Sequence, residues 1–241
     1  MTNKVKNNII IKKPSLNHKN RHWHNWLVYD LNDQFLSKYS HLYQGVLYDL
    51  GCGESPYQDF LLQFAQQYIG VDWAGSNHVT KETVLANLNE PLLLDSAVAD
   101  CVISLSVLEH LYQPQGMLNE AYRLLKPNAA MILQVPWQWQ LHEQPHDYFR
   151  YTPYALKQMF VKAGFTEVTI ECQGGFFTML FLKINYFSLK FIRGPKFLKN
   201  IIKLCLAPFW YLGQKIAPYL DRLDRDWSKE TIGFFVTAIK K

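Results

Sequence analysis

Short runs of apolar and β-branched residues recur along the chain, and most of them stop at a glycine, a proline or an acidic residue. Runs of this length and composition predict buried or half-buried strands. The run at 166–172 alternates between apolar and polar positions, as a strand with one covered face does. The seven predicted strands cover residues 45–50, 67–72, 83–88, 100–105, 130–136, 166–172 and 231–239.

Helical spacing of apolar residues separates several of these strands. Residues 56–67 place four apolar side chains on one helical face, and residues 115–125 repeat that pattern. Thr152 and Pro153 predict an N-cap followed by proline at the first helical position, and Gly164 predicts the end of that helix. Strands that alternate with helices predict an α/β fold with a mainly parallel sheet and helices on both of its faces.

Residues 173–230 separate the last two predicted strands, and 58 residues is a long connection for a compact domain. A membrane-spanning helix needs about 20 mostly uncharged residues, whereas the longest uncharged stretch here, Leu204–Gln214, has 11 and contains Pro208. From Lys196 onward, basic and bulky apolar residues occupy opposite helical faces. The pattern predicts a helical insertion that either lies in a membrane interface or covers a substrate site or a partner subunit.

Charge is unevenly distributed around a net value of +5. Residues 1–24 contain six Lys and Arg without an acid, and residues 173–220 contain seven without an acid. Basic ends around a neutral centre indicate an anionic partner or surface, or simply solvated ends. The four cysteines form no C-x-x-C pair, and the first residues lack the pattern of a secretory signal. We therefore predict a cytoplasmic protein with peripheral attachment to the inner face of the membrane as an option.

The ends of the first two strands carry a ligand-binding pattern. The first strand ends in DLGCGE, with Asp49, Gly51 and Gly53, and the second ends in Asp72, 21 residues after Gly51. Glycines let a backbone approach a ligand closely, and an acid about 20 residues further on can bind two ribose hydroxyls. The third glycine of G-x-G-x-x-G is absent, as is a P-loop, which argues against a dinucleotide or a nucleoside triphosphate. An adenosine-containing ligand is the interpretation that remains.

The stretches DLGCGESPY, YIGVDW, ANLNEPLLLDSAVADCVISLSVLEHL and RLLKPNAAMILQVP together resemble the class I S-adenosylmethionine-dependent methyltransferases, and within them the type-11 methyltransferase domain. The resemblance runs from about Val46 to Phe165. It implies a methyltransferase enzyme that uses S-adenosylmethionine. It also implies a Rossmann-like, seven-stranded, mainly parallel sheet whose last strand is antiparallel.

The resemblance assigns nine cofactor-binding residues to the ends of the first four strands. They are Asp49, Gly51 and Gly53 for the methionine part, Asp72 for the ribose, Trp73, Asn87 and Leu88 for the adenine, and Ser104 and Leu105 for the amino group. Glu109 and His110 follow the fourth strand, and for these we favour helix capping and packing over catalysis. The implied chain divides into a basic extension at 1–40, a methyltransferase domain at 41–172 and 231–241, and the insertion at 173–230.

Residues 136–153, PWQWQLHEQPHDYFRYTP, follow the fifth strand and are rich in aromatic and polar side chains. The stretch resembles methyltransferases associated with bacterial surface-polysaccharide and glycolipid assembly. Its candidate catalytic residues are His142 and His146, oriented by Asp147 or Glu143, and its candidate substrate-binding residues are Trp137, Trp139, Glu143, Arg150 and Tyr151. A structural ion pair between Asp147 and Arg150 is the alternative for those two residues.

These observations predict O-methylation of a glycan, a glycolipid or a related cell-surface precursor. A small acceptor such as a quinone or phenol is the alternative within the class, and a non-catalytic S-adenosylmethionine-binding subunit is the alternative outside it. The basic segments are apolar and helical, which argues against a nucleic-acid partner. Oligomerisation stays open.

The string HEQPH at 142–146 fits H-E-x-x-H, a pattern that places two zinc ligands one turn apart on a helix. Pro145 removes a backbone hydrogen bond and disfavours helical angles at Gln144. We therefore predict a loop here, without a metal site, in which the histidines contact the acceptor or remove its proton.

Overall fold

The computed structural model describes residues 13–16, 18–75 and 83–241. Residues 1–12 of the predicted basic extension lie outside the described residues. A seven-stranded sheet forms the centre of the molecule, with strand order β3-β2-β1-β4-β5-β7-β6. The strands are β1 (Val46–Leu50), β2 (Gln67–Asp72), β3 (Val84–Leu85), β4 (Ala99–Leu105), β5 (Leu125–Pro136), β6 (Thr166–Cys172) and β7 (Gly233–Ile239).

Strands β1 to β5 pair in parallel, and β7 runs antiparallel to both β5 and β6. The mainly parallel sheet with an antiparallel last strand is thus confirmed. The chain reverses its direction of strand addition at β1, where β2 lies on one side and β4 on the other. In open α/β sheets, ligands bind at the carboxyl ends of the strands beside such a point.

Helices cover both faces of the sheet. They are α1 (Trp26–Lys38), α2 (Gln58–Leu61), α3 (Pro114–Leu124), α4 (Pro153–Ala163), α5 (Phe176–Ser188) and α6 (Lys196–Asp221). The predicted caps of α4 are present: the Thr152 hydroxyl accepts a hydrogen bond from the Ala155 amide at 3.2 Å, and Gly164 has a φ of +104°. A left-handed angle at this position is reached at little cost by glycine.

The core is divided by the sheet into two apolar layers. On one face α3 and α4 pack against the sheet through buried residues such as Leu118, Leu124 and Phe160. On the other face, α1 and α2 do so through Leu36 and Leu61, among others. Burial on both faces explains why the parallel strands appear in the sequence as nearly continuous apolar runs.

Three predicted elements differ from the structure by more than two residues at one end. The helix expected over 56–67 comprises only Gln58–Leu61, because the Gln66 and Gln67 amides bond to the Gly45 carbonyl and begin the approach to β2. The third strand is two residues long instead of six. Strand β5 begins at Leu125, because that residue pairs with Ala99 of β4 before the expected start at 130.

The predicted insertion is helical and forms an antiparallel pair, α5 and α6. The Asp221 carboxylate near the end of α6 accepts hydrogen bonds from the Gly175 and Phe177 amides, each at 2.8 Å, at the start of α5. Gln214 joins α6 to α1, because its side chain accepts from the Leu27 amide at 3.0 Å and donates to the Trp23 carbonyl at 2.9 Å. No helix of the described part of the chain is long and apolar enough to cross a membrane.

Candidate active site

A cavity of about 930 Å³ lies above the carboxyl ends of β1, β2 and β4. Its walls come from the glycine turn after β1, the segment after β4, the loop 136–153, and residues 18–32 before and within α1. A volume of this size is at the upper end of ligand-binding cavities, which span roughly 300–1,000 Å³. The cavity therefore has room for a nucleoside ligand together with part of a second molecule.

The glycine turn after β1 is shaped for close approach by a ligand. Gly51 and Gly53 have φ values of +83° and +51°, in the region that favours glycine. A Cβ at Gly51 would lie 2.4 Å from a methyl carbon of Val107, so the turn packs tightly at this point. A Cβ at Gly53 would meet nothing within 4 Å, so the space above Gly53 is open to a ligand.

Asp72 lies at the end of β2, and hydrogen bonds hold its carboxylate in position. One oxygen accepts from the Gly53 amide at 2.7 Å and the other accepts from the Trp73 amide at 2.8 Å. A carboxylate has about four lone-pair sites, so each oxygen can accept one more hydrogen bond. Asp72 can therefore bind two vicinal hydroxyls of a ribose while it also fixes the glycine turn.

Asp49, at the inner end of the cavity, is buried, and its Oδ2 accepts a hydrogen bond from the Tyr68 hydroxyl at 2.6 Å. Burial raises the pKa of Asp49 to about 7; the hydrogen bond from Tyr68 lowers it, and the charge of Asp72 raises it. A cationic ligand would favour the ionised form of Asp49. The two carboxylates of Asp49 and Asp72 therefore fit S-adenosylmethionine, which carries an ammonium and a sulfonium group.

Eight of the nine cofactor-binding candidates line this cavity, and Ser104 does not. Ser104 is fully buried, and its hydroxyl donates to the Leu50 carbonyl at 2.7 Å, which ties β4 to β1 beneath the cavity floor. The segment that follows, Leu105 to Val107, lines the cavity in its place.

Residues 137–152 of the loop 136–153 contain no helix or strand, as the sequence around Pro145 predicted. Of its candidate residues, Trp139, His142, Glu143 and His146 line the cavity. The remaining four, Trp137, Asp147, Arg150 and Tyr151, are not among the lining residues. They support the loop from behind: for example, the Trp137 ring packs on Phe234 and the Tyr151 hydroxyl donates to the Leu108 carbonyl at 2.9 Å.

Asp147 and Arg150 form a bidentate ion pair with N–O distances of 2.6 and 2.8 Å. Arg150 also donates to the Gln140 carbonyl at 3.1 Å, and Asp147 accepts from the His142 amide at 3.0 Å. Burial opposes ionisation of Asp147, but the hydrogen bonds from Arg150 and His142 outweigh it, and the pKa of Asp147 falls to about 2. The geometry is that of the structural alternative, in which the pair braces the loop.

A group of three residues joins the loop to the segment after β4. Glu109 is fully buried, and its Oε1 lies 3.6 Å from Nε2 of His110 and 3.6 Å from Nε2 of His142. Burial lowers the pKa of His142, but Glu109 and Asp147 outweigh that effect and raise it. Our interpretation of Glu109 and His110 as capping and packing residues therefore missed their side-chain contacts with the loop.

Residues 48–133 match the model of a family described as "Methyltransferase domain". Over this region the chain is therefore similar to S-adenosylmethionine-dependent methyltransferases. This similarity agrees with the expectation that the cofactor is S-adenosylmethionine. Probable S-adenosylmethionine-dependent methyltransferases of Mycolicibacterium smegmatis and Mycobacterium tuberculosis are each 30% identical to it over 95 residues. That match covers 36% of the chain and only 37% and 34% of those two relatives.

Solved structures share the fold of the methyltransferase domain at low sequence identity. A SAM-dependent methyltransferase from Archaeoglobus fulgidus has a TM-score of 0.55 and 18% identity, covering 88% of the chain and 94% of that structure. A phosphoethanolamine N-methyltransferase 2 from Haemonchus contortus, in complex with S-adenosyl-L-methionine, has a TM-score of 0.55 and 15% identity. The match covers 96% of the chain and 60% of that structure.

Residues before and within α1 also line the cavity, and the sequence analysis did not predict them. His18, His22, His24, Tyr29 and Asn32 line the cavity from the N-terminal side. Burial, followed by the charges of His22 and Lys203, lowers the pKa of His24 to about 4. The cluster of histidines and asparagines in NHKNRHWHN was the available signal, but its position above the strand ends depends on how α1 packs.

A polar chain fixes α1 over the methyltransferase sheet. The Ser106 hydroxyl donates to Gln134, the Gln134 amide donates to Gln173 at 2.8 Å, and the Gln173 amide donates to Asn32 at 2.6 Å. These residues belong to four separate parts of the sequence. No local pattern predicts such a network, which forms only when the sheet brings its members together.

Proposed function

We propose that the protein is an S-adenosylmethionine-dependent O-methyltransferase that acts on a glycan, a glycolipid or a related cell-surface precursor. The observation that carries the proposal is the continuity of the cavity. Cofactor-binding residues of β1 and β2 line one side, and the aromatic and polar loop 136–153 lines the other. A donor and an acceptor bound in one cavity can be held in line, and orientation alone can remove roughly 7–11 kcal/mol of barrier.

The cofactor supplies an activated methyl group on a sulfonium, so the protein has to position the acceptor oxygen and accept its proton. His146 is our candidate for the proton acceptor. Its Nδ1 lies 3.1 Å from the Tyr148 hydroxyl, and its ring meets Trp73 edge-on with centroids 5.6 Å apart. His146 therefore lies between the cofactor side and the acceptor side of the cavity.

His142 is held differently, and we propose that it lies beside the acceptor and does not remove its proton. Its Nε2 is directed at Glu109, and its Nδ1 lies 3.4 Å from the Asp147 carboxylate and 3.3 Å from the Gln140 carbonyl. Asp147 acts as a positioning residue, since its own partners are Arg150 and His142. Trp139 and Tyr148 supply aromatic faces on which a sugar ring can pack.

The test is transfer of a labelled methyl group from S-adenosylmethionine into a cell extract that is then separated into lipid, glycan, nucleic-acid and small-molecule fractions. We expect label in the glycan or lipid fraction, and loss of it with Asp72→Asn, because the ribose then loses its carboxylate. Asp95→Asn is the matched control, since Asp95 is exposed and does not line the cavity. Label confined to small molecules would favour the quinone or phenol alternative. Cofactor binding without any transfer would favour a non-catalytic subunit.

We propose further that the first half of α6 holds the enzyme against an anionic membrane that carries the acceptor. Bulky apolar side chains there are exposed, including Phe197 at 67% and Leu204 at 69%, next to Lys196, Lys199 and Lys203. The second half of α6 buries Trp210, Gln214 and Ala217 instead. A cationic amphipathic helix of this kind can lie in the headgroup region of a bilayer.

Co-sedimentation with vesicles that contain anionic lipid tests this attachment. We expect binding by the wild type and a loss of binding in the double variant Phe197→Ser and Leu204→Ser. Tyr154→Ser is the control, because Tyr154 is 82% exposed but belongs to α4. Equal sedimentation of the double variant and the wild type would refute attachment through the first half of α6. The proposed methyltransferase activity does not depend on this result.

A further inference from the structure

Three potential metal-ligand atoms converge on one point in the cavity wall. They belong to Glu109, His110 and His142, and all three lie within 4.8 Å of one another. The two imidazole rings are nearly perpendicular, with an interplanar angle of 74° and centroids 4.7 Å apart. The histidines line the cavity, whereas Glu109 lies behind them and is fully buried.

The Glu109 carboxylate lacks the partners that a buried charge requires. Neither of its oxygens has a hydrogen-bond partner among the described residues. The contacts of 3.6 Å to the two histidines are longer than a hydrogen bond. Buried charges in proteins are generally paired or coordinate a metal, because isolated burial is costly.

Hydrogen bonds to the opposite ring nitrogens orient both histidines toward Glu109. Nδ1 of His110 lies 2.5 Å from the His146 carbonyl oxygen, so Nδ1 is the donor. Nδ1 of His142 lies 3.3 Å from the Gln140 carbonyl and 3.4 Å from the Asp147 carboxylate, both acceptors, and 3.5 Å from Nη2 of Arg150; it is the donor in the tautomer that bonds to Gln140 or Asp147. In the neutral rings, each Nε2 then carries a lone pair. Three acceptors therefore face one another, and a positive charge between them would remove their repulsion.

The distances distinguish a metal ion from a proton. An imidazolium that donates directly to a carboxylate forms an N–O contact of about 2.7–2.9 Å, shorter than the 3.6 Å observed for both histidines. Ligands about 2.1 Å from a shared metal, at tetrahedral or wider angles, lie about 3.4–3.6 Å apart. Both distances from the histidines to Glu109 match the second arrangement.

We propose that Glu109, His110 and His142 bind a single divalent first-row cation such as Mn²⁺, Fe²⁺ or Zn²⁺. Two imidazoles and one carboxylate favour these ions over Mg²⁺ and Ca²⁺, which prefer oxygen ligands. Three protein ligands leave a coordination position open, and the two histidines place it toward the cavity. The Asp147 carboxylate behind His142 and the carbonyl behind His110 are the supporting contacts that metal-bound histidines usually have.

The sequence alone pointed away from a metal, because in HEQPH we considered His142 and His146 as the two ligands. The structure pairs His142 with His110 instead, a residue five positions after the end of β4. His146 contributes only its backbone carbonyl, to the ring of His110.

A role for the cation in the reaction rests on the proposed methyltransferase function. The open position would hold the acceptor hydroxyl and lower its pKa, as metal ions do for bound water and alcohols. The proton would pass to His146, and the oxygen would then form its bond to the methyl carbon as the bond from carbon to sulfur breaks.

Calorimetric titration of the chelator-treated full chain with ZnCl₂, MnCl₂ and MgCl₂, each alone, tests the site. We expect one Zn²⁺ and one Mn²⁺ per chain, with Zn²⁺ bound more tightly and Mg²⁺ bound far more weakly. Glu109→Gln and His142→Asn should each weaken Mn²⁺ binding by roughly tenfold or more. His22→Asn is the control, since His22 lines the same cavity outside the cluster; its Mn²⁺ affinity should equal that of the wild type.

Binding of S-adenosylmethionine shows which variants are folded, and a variant that binds it normally is a valid test of the metal site. Should Glu109→Gln fail to fold, His142→Asn carries the test, because its side chain is 27% exposed. No Mn²⁺ or Zn²⁺ binding by the wild type, or equal binding by His142→Asn, would overturn the proposal. If the wild type does not bind S-adenosylmethionine, the proposed function is overturned, whereas the result of the metal titration still stands.

Discussion

Replacing Asp49 by asparagine should stabilise the cofactor-free protein while it weakens cofactor binding. Burial raises the pKa of Asp49 from its ordinary value of 3.8 to about 7. Below about pH 4 the carboxyl is protonated in both the folded and the unfolded state, and no penalty arises. As the pH rises from 4 to 7, the folded state retains a proton that the unfolded state releases, so stability falls. Above pH 7 both states are ionised, and the penalty stays constant.

The size of the effect follows from the two pKa values. At about 1.36 kcal/mol per pKa unit, the raised pKa of Asp49 lowers the free energy of unfolding by about 1.6 kcal/mol at pH 5 and about 4 kcal/mol at pH 8. Asparagine avoids this cost and can still accept the hydrogen bond from Tyr68. The stability of Asp49→Asn relative to the wild type should therefore grow by about 2.5 kcal/mol between these pH values. Any constant cost of the amide cancels in that difference.

Urea unfolding of the cofactor-free protein at pH 5, 6, 7 and 8 measures this growth. Asp95→Asn is the control and should show no comparable trend, because Asp95 is exposed. In the same series, wild-type affinity for S-adenosylmethionine should rise with pH up to about 7 and then level off, since the cationic cofactor favours the ionised carboxyl. If the stability of Asp49→Asn relative to the wild type stays constant or falls as the pH rises, the raised pKa of the buried Asp49 is refuted.

Three further predictions concern the turn, the loop and the insertion. Gly53→Ala should cost about 1–2 kcal/mol from its left-handed backbone, and Gly51→Ala should cost more because its Cβ meets Val107 at 2.4 Å; urea unfolding of both variants gives the comparison. Asp147→Ala should lose about 1–3 kcal/mol by leaving Arg150 without its partner. Because the pKa of Asp147 is lowered to about 2, that loss should be full above about pH 4 and should shrink as the pH falls toward 2, which unfolding at several pH values would show. Gln214→Leu should destabilise the fold by about 1–3 kcal/mol, since the Leu27 amide and the Trp23 carbonyl lose their partner; an unchanged unfolding midpoint would contradict that role.

The sequence by itself determined the α/β class, the order of strands and helices, and the cofactor side of the site. These features depend on local patterns: apolar runs bounded by glycine or acid, the caps at Thr152 and Gly164, and an acid at the end of two successive strands. Carboxyl ends of parallel strands meet at one edge of the sheet, so Asp49 and Asp72 come together without detailed packing. The loop at 142–146 also followed from local chemistry, because Pro145 disfavours a helix.

Tertiary structure alone decided which residues meet across the acceptor side. Glu109 and His142 are separated by a helix and a strand, and their contact depends on how the loop 136–153 folds back over the end of β4. The polar chain from Ser106 to Asn32 likewise joins distant segments through the sheet. Side-chain periodicity shows which face of an element is buried, but it does not show which buried faces touch. The Glu109 group therefore became visible only when the sheet placed β4 and the loop side by side.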